Sequence, residues 1–332
     1  MSVLFVGLRR EAPLALAIEA AAKLGVEHDV LDEDALHLHE FEVGLHGGRW
    51  RAVWWDGRRE VDLTRFAGVY TRAVPPSLLP AAVRFPPEHP PDALLPLRQQ
   101  YLIDGLNAWL DVTPQRVANR LAAAASNASK PWQMQLVRAC GFGVAESLVT
   151  NDAAAVRRFV RTHGRVIYKS SSGIRSIVTE LKPAGLGHLH RIAALPTLFQ
   201  AFVPGVNYRV HVVGPRVFCT RIESRAVDYR YAGREDCEAT MHADRLPPDV
   251  AERCVRLTAS LGLEFAGIDL KRTPDGRWVC FEANPSPAYS CFDDATSARI
   301  ARRLVHHLNG APHGSSHRKR SLSGRTAAVL HA

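Results

Sequence analysis

A short continuous apolar run, Val3–Leu8, opens the chain and reads as a strand. Helical periodicity follows over Pro13–Leu24, begun by a proline that suits a first turn and stopped by Gly25. Glu27–Leu31 predicts the next strand, so the chain starts β-α-β. Trp50–Trp55 and Glu60–Leu63 flank Asp56-Gly57, a dipeptide that favours a tight hairpin turn. Gly68-Val69-Tyr70-Thr71-Arg72 predicts a further strand that ends on an arginine.

Residues 73–92 carry seven prolines, at 75, 76, 80, 86, 87, 90 and 91. Proline removes a donor and fixes φ, so this stretch predicts a loop. Leu94–Leu110, the alanine-rich Arg116–Ala125 and Lys130–Cys140 read as helices, the last stopped by Gly141. Strands are then expected over Val144–Val149, Arg165–Lys169, Ser176–Leu181, Pro196–Phe202, Tyr208–Val213 and Val217–Ser224. Helices are expected over Asn151–His163, capped by Asn151 or Asp152, over Pro247–Leu261 and over Asp294–Leu308. Gly267–Arg272 and Trp278–Ala283 form a hairpin about Pro274-Asp275-Gly276. From Gly310 the chain is rich in Ser, His and Arg without packing signals, and it reads as a disordered basic tail.

Composition changes this picture little. Of the 332 residues, 46% are hydrophobic and 23% charged, the balance of a soluble globular chain. No apolar stretch approaches the roughly 20 residues that span a bilayer. The first strand comes without a basic, then apolar, then small-residue leader, so the protein reads as cytoplasmic. The net charge of +9 includes Arg318, Lys319, Arg320 and Arg325 of the tail. The remaining mildly basic body suits an anionic ligand, whether nucleotide, acidic peptide or nucleic acid. The run His317-Arg318-Lys319-Arg320 reads as a solvated tail rather than a nucleic-acid surface. Six scattered cysteines show no zinc or CxxC spacing, and Cys219 and Cys280, in apolar strand-like runs, read as small buried hydrophobes. His37, His39 and His46 read as solvated loop residues rather than metal ligands.

The chemistry concentrates in the hairpin. Glu282 and Asn284 are two apart, so they share a face, and Asp269 falls near Glu282 on the neighbouring strand. Two carboxylates facing each other on paired strands repel. A hard divalent cation removes that repulsion, and Mg²⁺ takes one or two carboxylates together with phosphate oxygens. Lys169 ends an apolar strand and precedes Ser170-Ser171-Ser172-Gly173, a small-residue loop able to fold over phosphates. A lysine at the root of such a loop acts on them as a point charge.

The order of parts is a helix-opening Lys130, the Lys169 strand and loop, the hinge-like Phe199–Gly205, the Asn207-Tyr208-Arg209-Val210 strand, then Asp269 and Glu282-Ala283-Asn284-Pro285. Over residues 115–310 this resembles the ATP-grasp superfamily and, within it, the RimK-type ligases. Nearly the whole chain resembles the ATP-grasp maturases of microviridin-type peptides, the graspetide synthetases. That likeness rests on Val69–Arg72 before the prolines, Lys130-Pro131-Trp132-Gln133-Met134-Gln135-Leu136, Phe199-Gln200, Ile222-Glu223-Ser224 and Asp228-Tyr229-Arg230.

The resemblance implies an α/β (α+β) ATP-grasp fold. A pre-ATP-grasp domain would span 1–115, a central subdomain 116–200, a C-terminal subdomain with the metal site 201–310, and the tail 311–332. It implies ATP and two Mg²⁺ ions as cofactors. Lys130 and Lys169 would contact phosphates, with Ser171 and Gly173 in the loop. Gln200 would accept from the adenine amino group, with backbone of Ala201 and Val203 on the ring edge. Asn207 stands near the ribose, where relatives often carry an acid. Arg209 would neutralise the γ-phosphate or the acyl-phosphate oxygen, while Asp269, Glu282 and Asn284 would hold Mg²⁺. Arg230 would hold the acceptor carboxylate, and Asp228 would either orient that arginine or take the nucleophile's proton. The implied substrate is a precursor peptide joined through side-chain esters or amides by a homodimeric enzyme. Pro285-Ser286-Pro287-Ala288-Tyr289-Ser290 is closer to other RimK-type ligases, and that resemblance implies joining of an amino acid or small metabolite through an amide bond.

Overall fold

The computed structural model describes residues 1–79, 94–170, 177–292 and 294–310. Ser171, Gly173, the prolines from 80 to 91 and the tail lie outside the described residues.

The chain begins with β1 (Val3–Gly7), α1 (Ala12–Lys23) and β2 (His28–Asp32). Then β3 (Glu40–His46), β4 (Arg49–Trp55) and β5 (Glu60–Asp62) make an antiparallel sheet. β6 (Gly68–Thr71), α2 (Leu95–Val112) and β7 (Arg116–Ala118) follow. The parallel sheet runs β2-β1-β6-β7. Its central strand is apolar throughout because both faces are covered. Val3 and Phe5 meet Leu14 and Ala17 on one side, and Leu4 and Val6 meet Trp54 and Trp109 on the other.

Next come α3 (Leu121–Ala124), α4 (Lys130–Ala139), β8 (Ser147–Thr150) and α5 (Ala153–His163). Asp152 caps α5 by accepting from the N–H groups of Ala154 at 2.7 Å and Ala155 at 3.1 Å. β9 (Val166–Ser170), β10 (Thr179–Glu180) and β11 (Thr197–Ala201) complete an antiparallel sheet ordered β10-β9-β11-β8.

The last sheet is built from β12 (Val206–Val213), β13 (Arg216–Ser224), β14 (Ala239–Asp244), β15 (Phe265–Arg272) and β16 (Trp278–Asn284), with α6 (Pro248–Ser260) between β14 and β15. Its order is β14-β13-β12-β15-β16. Strand alternation divides it cleanly. Val210, Val212, Ile268 and Leu270 pack with Val137 of α4 and Leu257 of α6. Asn207, Arg209, Asp269 and Lys271 fall on the opposite face, towards the cleft described below. The final helix α7 (Asp294–Asn309) returns to the first sheet, where Ile300 and Leu304 join the Val3 and Phe5 cluster.

Several expectations change. Arg116–Ala125 is not one helix. Alanine favours helix, but Arg116–Ala118 is buried beside β6 as the last parallel strand, and tertiary pairing overrides the propensity. β3 and β14 were not expected; β14 is an exposed edge strand with no apolar alternation to betray it. Of the strand expected at 176–181, only Thr179–Glu180 pairs among the described residues. His39 is buried rather than solvated, edge-on to Trp54 at 5.2 Å between ring centroids. Among the described residues no helix is long and apolar enough to cross a membrane.

Candidate active site

A cleft of about 530 Å³ lies between the β10-β9-β11-β8 sheet and the β14-β13-β12-β15-β16 sheet, within the size range of small-molecule sites. The register of three strands builds its charged floor. Arg209 on β12 stands opposite Asp269 on β15, which stands opposite Glu282 on β16. Arg209 Nη1 donates to Asp269 Oδ1 at 2.7 Å. From the other side, Lys130 Nζ at the start of α4 donates to Glu282 Oε2 at 3.0 Å and to Asn127 Oδ1 at 2.6 Å. Lys169 Nζ, near the end of β9, lies 3.8 Å from the same Glu282 oxygen.

These pairs set the electrostatics. Burial alone would raise the Glu282 carboxyl, but Lys169 and Lys130 outweigh it and hold it down at about 2. Burial pulls Lys169 below its ordinary value against the pull of Glu282. Burial also works against the Arg209 guanidinium, and Asp269 more than restores it. Tyr229, which lines the cleft, is pushed up by burial and by Asp269.

A bulge between Asp269 and Leu270 shifts the pairing, so that Leu270 meets Cys280 and Phe281 is passed over. Phe281 and Glu282 are consecutive and would alternate in a regular strand, yet both line the cleft. Gly267 permits the close approach of the floor. A Cβ there would lie 2.4 Å from Arg209 Nη2 and 2.6 Å from Pro287 Cβ.

The donor set suits a hard cation. Two carboxylates and the Asn284 amide oxygen share one face, and the latter also accepts from Ser286 N–H at 2.9 Å. Among the described residues no group of three or more His, Cys, Asp or Glu could hold a metal. A cation here would thus complete its shell from phosphate or water oxygens, as Mg²⁺ ordinarily does. Lys130 and Lys169 now neutralise Glu282, and a phosphate chain would offer both lysines an alternative anion.

At the other end of the cleft, Gln200 Nε2 donates to Ser147 Oγ at 3.0 Å, while its Oε1 is buried without a partner among the described residues. An orphaned buried acceptor costs free energy, and a ligand amino group would satisfy it. The hinge residue Ala201 spends its N–H on the Glu146 carbonyl at 2.9 Å. Val203 and Asn207 line the cleft beside it.

Asp228 and Arg230 sit at the cleft's third side. Both Asp228 oxygens are engaged: Oδ1 accepts from Arg230 Nε at 2.8 Å and N–H at 3.2 Å, and Oδ2 from Arg230 Nη2 at 2.7 Å and Val178 N–H at 3.2 Å. The bond to Asp228 raises the Arg230 pKa further.

Three supports escaped sequence reasoning. Gln133 holds the β16 backbone at Ala283 from α4. Arg72 grips Glu11 through two bonds of 2.6 Å and donates to the Pro287 carbonyl at 3.2 Å. The buried Tyr289 donates to the Pro13 carbonyl at 2.5 Å, so the Pro285–Ser290 segment is tied to the first sheet's layer. Arg72, Gln133 and Tyr289 all lie in the quoted motifs, but nothing local says which partner they meet.

No family model matches the chain. It is 27% identical over 205 residues to a probable alpha-L-glutamate ligase of Pasteurella multocida, a match covering 56% of this chain and 62% of that one. A probable alpha-L-glutamate ligase of Histophilus somni is 25% identical over 190 residues, covering 53% and 61%. The chain spans about three-fifths of the length of these curated relatives. Solved structures match over nearly the whole chain. The ATP-grasp ligase PsnB complexed with minimal precursor has a TM-score of 0.73 and 27% identity, covering 93% of this chain and 98% of that one. Macrocyclase MdnC of Microcystis aeruginosa, bound with precursor peptide MdnA, has a TM-score of 0.71 and 21% identity, covering 92% and 99%. In fold and in the order of its parts the chain is thus similar to ATP-grasp ligases, among them PsnB and MdnC, and over part of its length to probable alpha-L-glutamate ligases.

Proposed function

We propose that the protein is an ATP-dependent carboxylate ligase that works through an acyl phosphate and forms side-chain ester or amide links in a ribosomal precursor peptide. The observation that carries this reading is the cross-strand row Arg209–Asp269–Glu282, met by Lys130 and Lys169 at one end of a nucleotide-sized cleft.

In this reading Asp269, Glu282 and Asn284 hold two Mg²⁺ ions, which supply charge neutralisation on the phosphates. Catalysis of phosphoryl transfer is chiefly positioning and electrostatics. Lys130 and Lys169 turn from Glu282 to the phosphates. Gln200 Oε1 takes the adenine amino group, backbone of Ala201 and Val203 meets the ring edge, and Asn207 lies by the ribose. Ser171 and Gly173 belong to the phosphate loop of the same reading. Arg209 steadies the charge on the transferred group. Arg230 holds the acceptor carboxylate by its planar fork, and Asp228, with both oxygens spent, orients that fork rather than taking a proton. The nucleophile is an amine or hydroxyl of the same peptide. The subdomain divisions near residues 115, 200 and 310, and a homodimeric assembly, go with this reading.

The curated relatives favour a second reading, ligation of an amino acid to a carboxylate. Incubation with Mg-ATP and candidate substrates separates the two. Cross-linking releases ADP and phosphate and removes one water from the peptide per link. Amino-acid ligation adds mass, and a kinase leaves the phosphoryl group on its product. A stable phosphorylated product without joining would overturn both ligase readings.

A further inference from the structure

Lys271 has no part in the chemistry above, yet it is buried in the cleft wall. Its Nζ donates to the Val203 carbonyl at 3.0 Å and lies 5.2 Å from the Phe202 ring centroid and 5.8 Å from that of Phe281. Among the described residues no carboxylate pairs with it. An ammonium carries three donors, and a buried cation without an anion is costly unless something accepts from it. Its side chain lines the cleft.

The register says where an acceptor would be. Lys271 stands directly opposite Asn207 across β12 and β15, so the two side chains share a face. The atoms along one edge of adenine run from the amino group through N1, C2 and N3 to the ribose. In the ATP reading Gln200 meets the amino group, Val203 the ring edge and Asn207 the ribose. Lys271 is bonded to Val203 and paired with Asn207, so it falls between ring edge and sugar, where the acceptor is N3. We propose that Lys271 is a nucleotide-recognition residue that donates a hydrogen bond to N3 of the bound adenine. This rests on the ATP reading of the same cleft.

The test is calorimetric binding of Mg-ATP and Mg-3-deaza-ATP, which replaces N3 by CH, to the full chain and to Lys271→Met and Lys271→Arg. Wild type should bind ATP about tenfold more tightly than the analogue, the effect of one charge-assisted hydrogen bond. Lys271→Met should bind both nucleotides equally and near the wild-type affinity for the analogue. Lys271→Arg, which keeps a donor, should retain discrimination. Equal binding of the two nucleotides by wild type, or an equal loss for both in Lys271→Met, would overturn the assignment, the latter showing a residue that only braces the hinge. A wild-type chain that binds neither nucleotide would overturn the ATP reading and this inference together.

Discussion

Gln133 and Ala283 exchange two hydrogen bonds: the Gln133 amide donates to the Ala283 carbonyl at 2.9 Å and accepts from its N–H at 3.0 Å. A helix side chain thereby takes the place of a neighbouring strand along the outer edge of β16, between Glu282 and Asn284. Gln133 is one helical turn after Lys130, so the same face of α4 fixes both the backbone and the carboxylate of this segment. Gln133→Ala leaves a buried N–H and C=O unpaired, a loss of about 1–3 kcal/mol each in the worst case. Denaturant unfolding should show lower stability, and nucleotide affinity should fall with it. Unchanged affinity would mean that β16 holds its geometry without the clamp.

The saturation of Asp228 makes a kinetic distinction. Asp228→Asn weakens the grip on Arg230 by removing its charge and one of its bonded oxygens. The expected outcome is a rise in acceptor KM of roughly tenfold or more, the scale of a lost charge-assisted bond, with KM for ATP little changed. A collapse of kcat at unchanged acceptor KM, with loss of a limb of the pH profile, would instead identify Asp228 as the proton acceptor.

His39 gives the first layer an acid sensitivity. Burial lowers its pKa from 6.5 to about 4, and its Nδ1 is buried without a partner among the described residues. The unfolded chain therefore binds a proton that the folded chain refuses between these values, and stability falls as pH drops from 6.5 towards 4. His39→Phe should flatten that part of the profile relative to wild type in thermal unfolding followed by Trp fluorescence, since Trp54 packs on the ring. Parallel profiles for the two proteins would contradict the assignment.

What was legible in the chain follows from the range of the interactions. Alternation along single strands disclosed β9, β12, β13, β15 and β16, and the hairpin turn at Asp275-Gly276 placed Asp269 opposite Glu282. β7 was not legible, because the alanine-rich segment that begins with it carries helix propensity and only pairing with the neighbouring β6 makes Arg116–Ala118 a strand. The Phe281 bulge was hidden for a similar reason, since a register shift leaves no mark on composition. Gln133, Arg72, Tyr289 and Lys271 act on partners far off in sequence or on the backbone. The identities of such residues are visible in a motif, but their tasks are set by the fold.

The most direct test of the account is release of ADP and phosphate, with product mass, from Mg-ATP and precursor peptide by wild type, Asp269→Ala and Glu282→Ala. ADP and phosphate should form one for one with links in the wild type, and at background levels in both variants, which lose a metal ligand and strand the buried Arg209 or the paired lysines. Wild-type turnover by either folded variant would contradict it.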